Sequence, residues 1–146
     1  MTIPMTGRIL GVDWGERRIG LAVTDETQTV ASPLATLTRR PGKRFPMPVF
    51  LEHVKALSPV GVVVGLPLEA SGEEGTAAAR ARALATSIGG RTYLPVVLWD
   101  ERMSTARALA AIEEQGGSTR GRKEDVDSLA AAVLLRHFLD ARRPRS

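Results

Sequence analysis

The chain has 146 residues, enough for one domain, residues 1–146, that buries its own hydrophobic core. It contains no cysteine, which excludes disulfides, thiolate metal sites and cysteine nucleophiles, and no apolar run approaches the roughly 20 residues that cross a bilayer. Its 20 Lys and Arg outnumber 16 Asp and Glu, and the net charge of +4 favours a polyanionic partner such as nucleic acid.

The first part of the chain is predicted to form a meander of three strands. Residues Arg8–Asp13 form an apolar run that ends at a carboxylate, and Gly20–Asp25 form a second apolar run. The gap between the two runs is short, which is typical of an antiparallel hairpin. A third strand is predicted at Val30–Leu34, where Pro33 limits how far the strand can extend.

The remainder of the chain is predicted to alternate between helices and strands. In chain order the segments are a helix through Phe50, Val54 and Leu57, a strand at Val60–Gly65, an alanine-rich helix from Gly72–Gly75 to about Ile88, a strand at Pro95–Trp99, a helix from Ser104 or Thr105 to Glu114, and a helix at Asp125–Ala141. Both strands are continuous apolar runs, as expected of strands buried on both faces. The order β-β-β-α-β-α-β-α-α predicts an α/β fold whose mixed sheet is antiparallel at one side and parallel at the other.

Two carboxylates stand where predicted buried strands end. Asp13 ends the first strand and Glu101 follows the last one, and ligands of open α/β sheets gather at the carboxyl ends of strands. We expect neighbouring strands to bring these two side chains together. The final helix is predicted to carry an apolar stripe formed by Val126, Leu129, Ala130, Val133, Leu134, His137 and Phe138. Asp127, in the first turn of that helix, lies about 60° from the centre of the stripe and is expected to face the protein. The helix dipole favours its ionised form.

Three converging carboxylates are expected to bind a divalent cation. Like charges repel one another unless a cation neutralises them, and Mg²⁺ and Mn²⁺ prefer oxygen ligands. One or two such ions can generate hydroxide and stabilise an in-line phosphodiester displacement. Glu124 is a candidate fourth ligand, whereas Asp125 projects about 160° away from Asp127 and is interpreted as a cap or a solvated residue. Taken singly, each acid also has a structural explanation: a turn residue at Asp13, a surface ion pair of Glu101 with Arg102, and a helix-dipole acid at Asp127.

Five short segments occur in order along nearly the whole length of the chain: Gly11–Gly20, Ala31–Leu34, Val63–Leu68, Leu98–Arg102 and Val126–Ala131. Together they resemble the YqgF/RuvX family, which is known both as pre-16S rRNA nucleases and as Holliday junction resolvases. The resemblance implies an RNase H-like fold, in which a three-stranded antiparallel meander and two parallel strands form a mixed five-stranded sheet flanked by helices. It also places the acidic triad of the family on Asp13, Glu101 and Asp127.

The resemblance implies supporting roles for basic residues. Arg18 and Arg102 are expected near the scissile phosphate or the metal ligands. Basic clusters of the sequence supply further candidates for nucleic-acid contact, namely Arg39, Arg40 and Lys123. Two residues depart from those more usual in the family: Glu16 adds an acid near Asp13, and Trp14 could stack on a base or only cover the turn.

The function implied is that of a metal-dependent endonuclease, with Mg²⁺ or Mn²⁺ as cofactor, that processes the 5′ end of pre-16S rRNA. The alternative is a Holliday junction resolvase acting on four-way DNA junctions, whose paired cuts require two active sites and hence a homodimer. A non-catalytic nucleic-acid-binding module and a sugar-kinase-like ATPase are further rivals. The N-terminus shows no signal-peptide pattern, so a cytoplasmic protein without membrane contact is predicted.

Overall fold

A computed structural model describes residues 2–14, 18–38, 44–67, 71–100 and 123–142, with the side chains of residues 123–126 outside the description. The described strands are β1 (Ile9–Trp14), β2 (Arg18–Thr24), β3 (Ala31–Thr38), β4 (Gly61–Leu66) and β5 (Val96–Asp100). The described helices are α1 (Met47–Leu57), α2 (Thr76–Thr92) and α3 (Lys123–Arg142). The helix predicted from Ser104 or Thr105 to Glu114 lies outside the described residues. None of the described helices is long and apolar enough to cross a membrane.

The five strands form one mixed sheet in the order β3-β2-β1-β4-β5. β1 pairs antiparallel with β2, and β2 pairs antiparallel with β3, which confirms the predicted meander. β4 pairs parallel with β1 and with β5, which confirms the parallel side of the sheet. β3 runs to Thr38, beyond the predicted end at Leu34, because Pro33 lies in an edge strand where the register shifts opposite Leu21 and Ala22.

The two apolar runs of the parallel side differ in burial. In β4, residues Gly61–Gly65 are all buried, as the continuous β-branched run predicts for a central strand. In β5, all five residues are only half-buried, so the prediction that this strand is buried like β4 is wrong. The reason is position, because β5 forms the edge of the described sheet and has a pairing partner on one side only.

Helices cover both faces of the sheet. On one face α1 and α2 pack against the alternate residues Leu10 and Val12 of β1 and their neighbours in β2 and β4. On the other face α3 packs against Ile9 and Ala22, whose side chains point the opposite way because strand side chains alternate. Each face therefore has its own hydrophobic core, with the sheet between them.

Helix α3 lies unusually close to the middle of the sheet. A Cβ placed on Gly11 would stand 2.6 Å from Cγ of Leu135, so a larger residue there would have to displace this buried side chain. The buried face of α3 is also rotated from the predicted stripe. Its buried side chains are Ser128, Ala130, Ala131, Ala132, Leu134, Leu135, Phe138 and Leu139, whereas Leu129, Val133 and His137 of the predicted stripe are half-buried.

The turn between β2 and β3 is organised by the carboxylate of Asp25. It accepts hydrogen bonds from the hydroxyl of Thr27 (2.6 Å), the N–H of Val30 (3.0 Å), and both the hydroxyl and the N–H of Thr29 (2.8 Å each). These donors, led by the Thr27 hydroxyl, hold the pKa of Asp25 far below its ordinary value of 3.8. The turn is thus stabilised by the ionised carboxylate.

This arrangement predicts a pH dependence of stability. Because the pKa of Asp25 is lower in the folded chain than in the unfolded chain, its contribution is complete above pH 3.8 and is lost as the pH falls below that value. We expect Asp25→Asn to lower the unfolding midpoint at neutral pH and to converge with the wild type in acid. Thermal unfolding of both proteins over a pH series measures the gap, and a gap that is constant with pH contradicts the assignment.

Candidate active site

Asp13 lies near the carboxyl end of β1 and faces helix α3. Its Cα pairs with that of Gly20 across the antiparallel ladder, and side chains opposite one another in such a ladder share a face. Two residues earlier on the same strand, Gly11 lies directly beneath Leu135 of α3. Strand alternation therefore places the carboxylate of Asp13 on the α3 face as well.

Asp127 reaches the same place from above the sheet. A Cβ on Gly20 would overlap the backbone carbonyl of Asp127, so α3 rests on β2 at this glycine. The Cα atoms of a directly opposed pair such as Asp13 and Gly20 lie about 4.5–5.5 Å apart. The backbone of Asp127, which contacts Gly20, is therefore also close to Asp13. Gly20 is the contact between the two elements, and the sequence did not indicate it. The convergence of the two carboxylates stays a prediction.

The helical position of Asp127 differs from the expectation. Helix α3 begins at Lys123, two residues before the predicted start at Asp125, so Asp127 lies in the second turn. The dipole effect falls off within the first turn, which leaves packing as the main reason for its position. Asp127 is half-buried and precedes the buried Ala131 by four residues, so it lies on the helix face that contacts the sheet.

The positions beside Asp13 in the sheet carry no side chains. Gly20 lies on one side in β2, and the register of β4 places Gly65 on the other side, one residue after the pair Val12 and Val64. Gly65 is in turn paired with Trp99 of β5. The sheet itself therefore leaves room around the Asp13 carboxylate on the α3 face.

The expectation that neighbouring strands bring Asp13 and Glu101 together is wrong in its topology. β4 lies between β1 and β5, and two strand spacings amount to about 10 Å. β5 ends in the description at Asp100, and Glu101 lies outside the described residues, as do Arg102, Arg39 and Arg40. Lys123 and Glu124 lie in the first turn of α3, with side chains outside the description.

Arg18 opens β2 on the same face as Asp13. It lies two residues before Gly20, the cross-strand partner of Asp13, and is therefore the diagonal neighbour of Asp13. The backbones of such diagonal neighbours are about 7–8 Å apart. Its side chain is half-buried. A guanidinium at this position can contact an anion that is also held near Asp13.

The chemistry of the donors fits a hard divalent cation. Asp13 and Asp127 supply carboxylate oxygens, which Mg²⁺ and Mn²⁺ prefer. Within the described ranges no group of three or more His, Cys, Asp or Glu side chains is assembled, and the third predicted acid lies beyond those ranges. The packing of α3 over β2 therefore brings the backbones of Asp13 and Asp127 to neighbouring positions, with Arg18 diagonal to Asp13.

Sequence reasoning missed a cavity at the same end of β1 but on the other face of the sheet. Its volume is about 590 Å³, and it is lined by Trp14, Phe45 and part of helix α2. The lining residues of α2 include Arg80, Ser87 and Arg91. They are separated by seven and four residues, so they lie on one face of the helix. That spacing was visible in the alanine-rich segment, but nothing local indicated that Trp14 would lie opposite.

Comparison with known proteins identifies similar sequences along most of the chain. Residues 7–141 match the family RuvX, described as Holliday junction resolvase. A protein of Paracoccus denitrificans is 40% identical over 141 residues, covering 97% of this chain and 89% of the relative. One of Anaeromyxobacter dehalogenans is 40% identical over 137 residues, covering 94% and 99%. Both relatives carry the provisional name pre-16S rRNA nuclease.

Solved structures with the same fold include two resolvases. Thermus thermophilus RuvC, determined in complex with a Holliday junction substrate, has a TM-score of 0.56 at 20% identity, covering 93% of this chain and 95% of RuvC. The fowlpox virus Holliday junction resolvase has a TM-score of 0.54 at 16% identity, covering 92% and 98%. At these identities the likeness establishes the RNase H-like fold alone.

Proposed function

The chain belongs to the RuvX family of Holliday junction resolvases, and on that basis we propose that it is a divalent-metal-dependent endonuclease acting on structured nucleic acid. The observation that supports this most directly is the packing of Asp127 over Gly20, the cross-strand partner of Asp13. Two acids held this close by backbone contacts fit the carboxylate ligands that bind the metal ion in a phosphodiesterase site.

In the proposed site Asp13, Glu101 and Asp127 hold one or two Mg²⁺ or Mn²⁺ ions, and Glu124 is the candidate for a fourth ligand. A metal ion held there would activate water and would stabilise charge on the scissile phosphate. β1 and α3 orient Asp13 and Asp127 before substrate binds, because a glycine joins them without a flexible side chain.

Glu101 completes the site from the far side of β4 in this proposal. Trp99 lies in register with Gly65 and packs edge-on against Phe138 of α3 at 5.4 Å, so this position of β5 is on the α3 face. Glu101 follows Trp99 by two residues in the sequence, and its place on this face is part of the proposal. A spacing of about 10 Å between β1 and β5 leaves space above the intervening β4 for the ions and the phosphate.

Arg18 has the role of binding the scissile phosphate. It stands diagonally from Asp13 on the α3 face, and a guanidinium donates two parallel hydrogen bonds to phosphate oxygens. Arg102, Arg39, Arg40 and Lys123 are proposed as further contacts to the nucleic-acid backbone. Such contacts position a strand without reading its bases, as suits a substrate recognised by shape.

The proposed substrate is the 5′ end of precursor 16S rRNA, because the relatives at 40% identity carry that provisional name. The second candidate is a four-way DNA junction, which the family description favours. Paired cuts at a junction would require a homodimer, since each protomer offers one site. Either substrate places the protein in the cytoplasm in this proposal.

A cleavage panel separates these substrates. The purified protein is incubated with a precursor-rRNA end, an unrelated single-stranded RNA and a four-way DNA junction, each with Mg²⁺, Mn²⁺ or EDTA. We expect cleavage that depends on metal and favours the rRNA precursor, with discrete internal products that indicate endonucleolytic action. Preference for the junction, with paired symmetric cuts by a dimer, would instead support the second candidate.

Two results would contradict the proposal as a whole. Equal and slow cleavage of all three substrates would remove both specific assignments. Cleavage that persists in EDTA would show that the activity does not use the carboxylate site, or that it belongs to a contaminant. Binding of ATP without cleavage would support the ATPase alternative.

A further inference from the structure

The cavity beside Trp14 lies next to the proposed catalytic centre but on the opposite face of the sheet. Asp13 and Trp14 are the last two residues of β1, so their side chains point to opposite faces of the sheet at the carboxyl end of this strand. The cavity of about 590 Å³ opens between α2 and the segment that precedes α1. A ligand bound there would lie across β1 from the carboxylate of Asp13, at the same end of the strand.

One part of the cavity lining is aromatic and apolar. Trp14 and Phe45 pack edge to face with ring centroids 6.0 Å apart, and Phe45 packs in the same way on the buried Phe50 at 5.6 Å. Met47 and Leu84 add apolar surface. Because a fully buried ring supports this row, the two rings that border the cavity are held in place for a flat ligand.

The other part of the lining is cationic. Arg44, Arg80 and Arg91 border the cavity, all three are exposed, and none of the described lining residues is acidic. Within the described chain no ion pair engages these three arginines, whereas Arg82 of the same helix is held by Glu74 through contacts of 2.5 and 2.6 Å. The cavity therefore combines an aromatic surface with uncompensated positive charge.

A nucleotide has the matching chemistry. Its base is a flat ring that stacks on or beside aromatic side chains, and the phosphates on either side are anions that guanidinium groups bind. A cavity of this size lies within the range of small-molecule sites. A paired base inside a duplex cannot enter it, since its ring faces are already stacked.

We propose that this cavity binds an unpaired nucleotide of the substrate strand, adjacent to the phosphodiester that is cleaved at Asp13. The position of the nucleotide next to the cleaved bond rests on the proposed nuclease function, whereas the binding of the nucleotide does not. An enzyme with this site selects strands that have an unstacked nucleotide next to the cut. An overhanging precursor-RNA end has such nucleotides, whereas a continuous duplex has none.

Gly90 provides a test that leaves the acidic residues untouched. It lines the cavity from α2, and a Cβ there would meet nothing within 4 Å. We expect Gly90→Glu, which adds bulk and negative charge to the cavity, to weaken binding of a short fluorescein-labelled single-stranded RNA by roughly tenfold. Gly90→Ala and the exposed Thr86→Glu on the same helix are the matched controls, and both are expected to bind as the wild type does.

The arginines are tested by the salt dependence of the same binding. We expect the double variant Arg80→Ala/Arg91→Ala to bind weakly and to lower the magnitude of the slope of log K against log salt by about 1.4, because two phosphate contacts are lost. Lys55→Ala/Arg136→Ala removes the same charge from exposed positions outside the cavity lining. An equal change of slope in both double variants would overturn the proposal in favour of diffuse attraction.

The measurements are made in EDTA, so they report binding whether or not the protein cleaves. If single-stranded RNA and the matching duplex bind equally well, or if Gly90→Glu binds as Gly90→Ala does, the cavity is not a nucleotide site. If the cavity variants lose binding while no cleavage is found with any metal, the nucleotide site stands and the proposed nuclease function fails. Circular dichroism of each variant confirms that the helices are intact.

Discussion

Asp13→Asn and Asp127→Asn are each expected to reduce kcat/KM for metal-dependent cleavage by roughly 10³-fold or more. Each substitution removes one charged oxygen ligand from a site whose cation stabilises the developing charge, and about 1.4 kcal/mol of lost stabilisation corresponds to a factor of ten. If the packing of α3 over Gly20 joins the two acids into one site, as proposed, the two losses should be similar. Initial rates with Mg²⁺ and with Mn²⁺ measure both.

Asp140→Asn is the matched control for Asp127→Asn. It lies on the same helix, is exposed, and forms an ion pair of 3.8 Å with Arg136. We expect it to retain wild-type cleavage. If Asp13→Asn also cleaves at the wild-type rate, the carboxylate site is not the catalytic centre. Glu101→Gln should lose as much activity as the other two, and full activity in that variant would remove Glu101 from the triad.

The stability of the same variants provides a second readout. Two carboxylates near one another repel in the absence of a cation, so Asp13→Asn is expected to keep or raise the unfolding midpoint measured in EDTA. Added Mg²⁺ or Mn²⁺ should raise the midpoint of the wild type and leave that of the variant nearly unchanged. A variant that is inactive and also unstable would point to a structural role for Asp13 instead.

Gly20→Ala is expected to destabilise the fold by about 1–3 kcal/mol and to reduce cleavage by at least roughly tenfold at temperatures where the variant is folded. The new Cβ would overlap the backbone carbonyl of Asp127, and a carbonyl in the middle of a helix cannot rotate away. Helix α3 must then move, and Asp127 moves with it. Chemical denaturation measures the first effect, and cleavage rates measure the second.

Two other glycines serve as comparisons for Gly20→Ala. At Gly11 the new Cβ would meet the side chain of Leu135, which can shift, so a smaller loss of stability is expected. At Gly90 it would meet open space, and Ala there should stabilise α2 by up to about 1 kcal/mol. Native stability and full activity of Gly20→Ala would mean that α3 does not rest on β2 in the way described.

Local patterns predicted the elements well where an element's own residues determine its conformation. The helical stripe of α1 through Phe50, Val54 and Leu57 and the β-branched run of β4 both appear as expected. The short connection from β1 to β2 correctly indicated an antiparallel pair. The observed ends of the elements differ from the predicted ends by a few residues. The reason is that a helix start such as that of α2 after Gly75 depends on the conformation of single backbone groups.

Local sequence patterns could not predict how deeply each strand is buried or which strands are neighbours in the sheet. The apolar run of β5 resembles that of β4, yet β5 is half-buried because it lies at the edge of the described sheet. The order of strands depends on which elements pair over long sequence separations, and no local repeat records that choice. For this reason β4 was not expected between β1 and β5.

The sequence by itself determined which residues are candidates: Asp13, Glu101 and Asp127 stand at strand ends or on a helix and match the motifs of one family. Only the tertiary structure decided that the backbone of Asp127 lies over β2 beside Asp13, because that depends on two glycines that let α3 approach the sheet. It also decided that Trp14 and the arginines of α2 border one cavity. Periodicity reports the faces of a single element, whereas a site forms where faces of distant elements pack together.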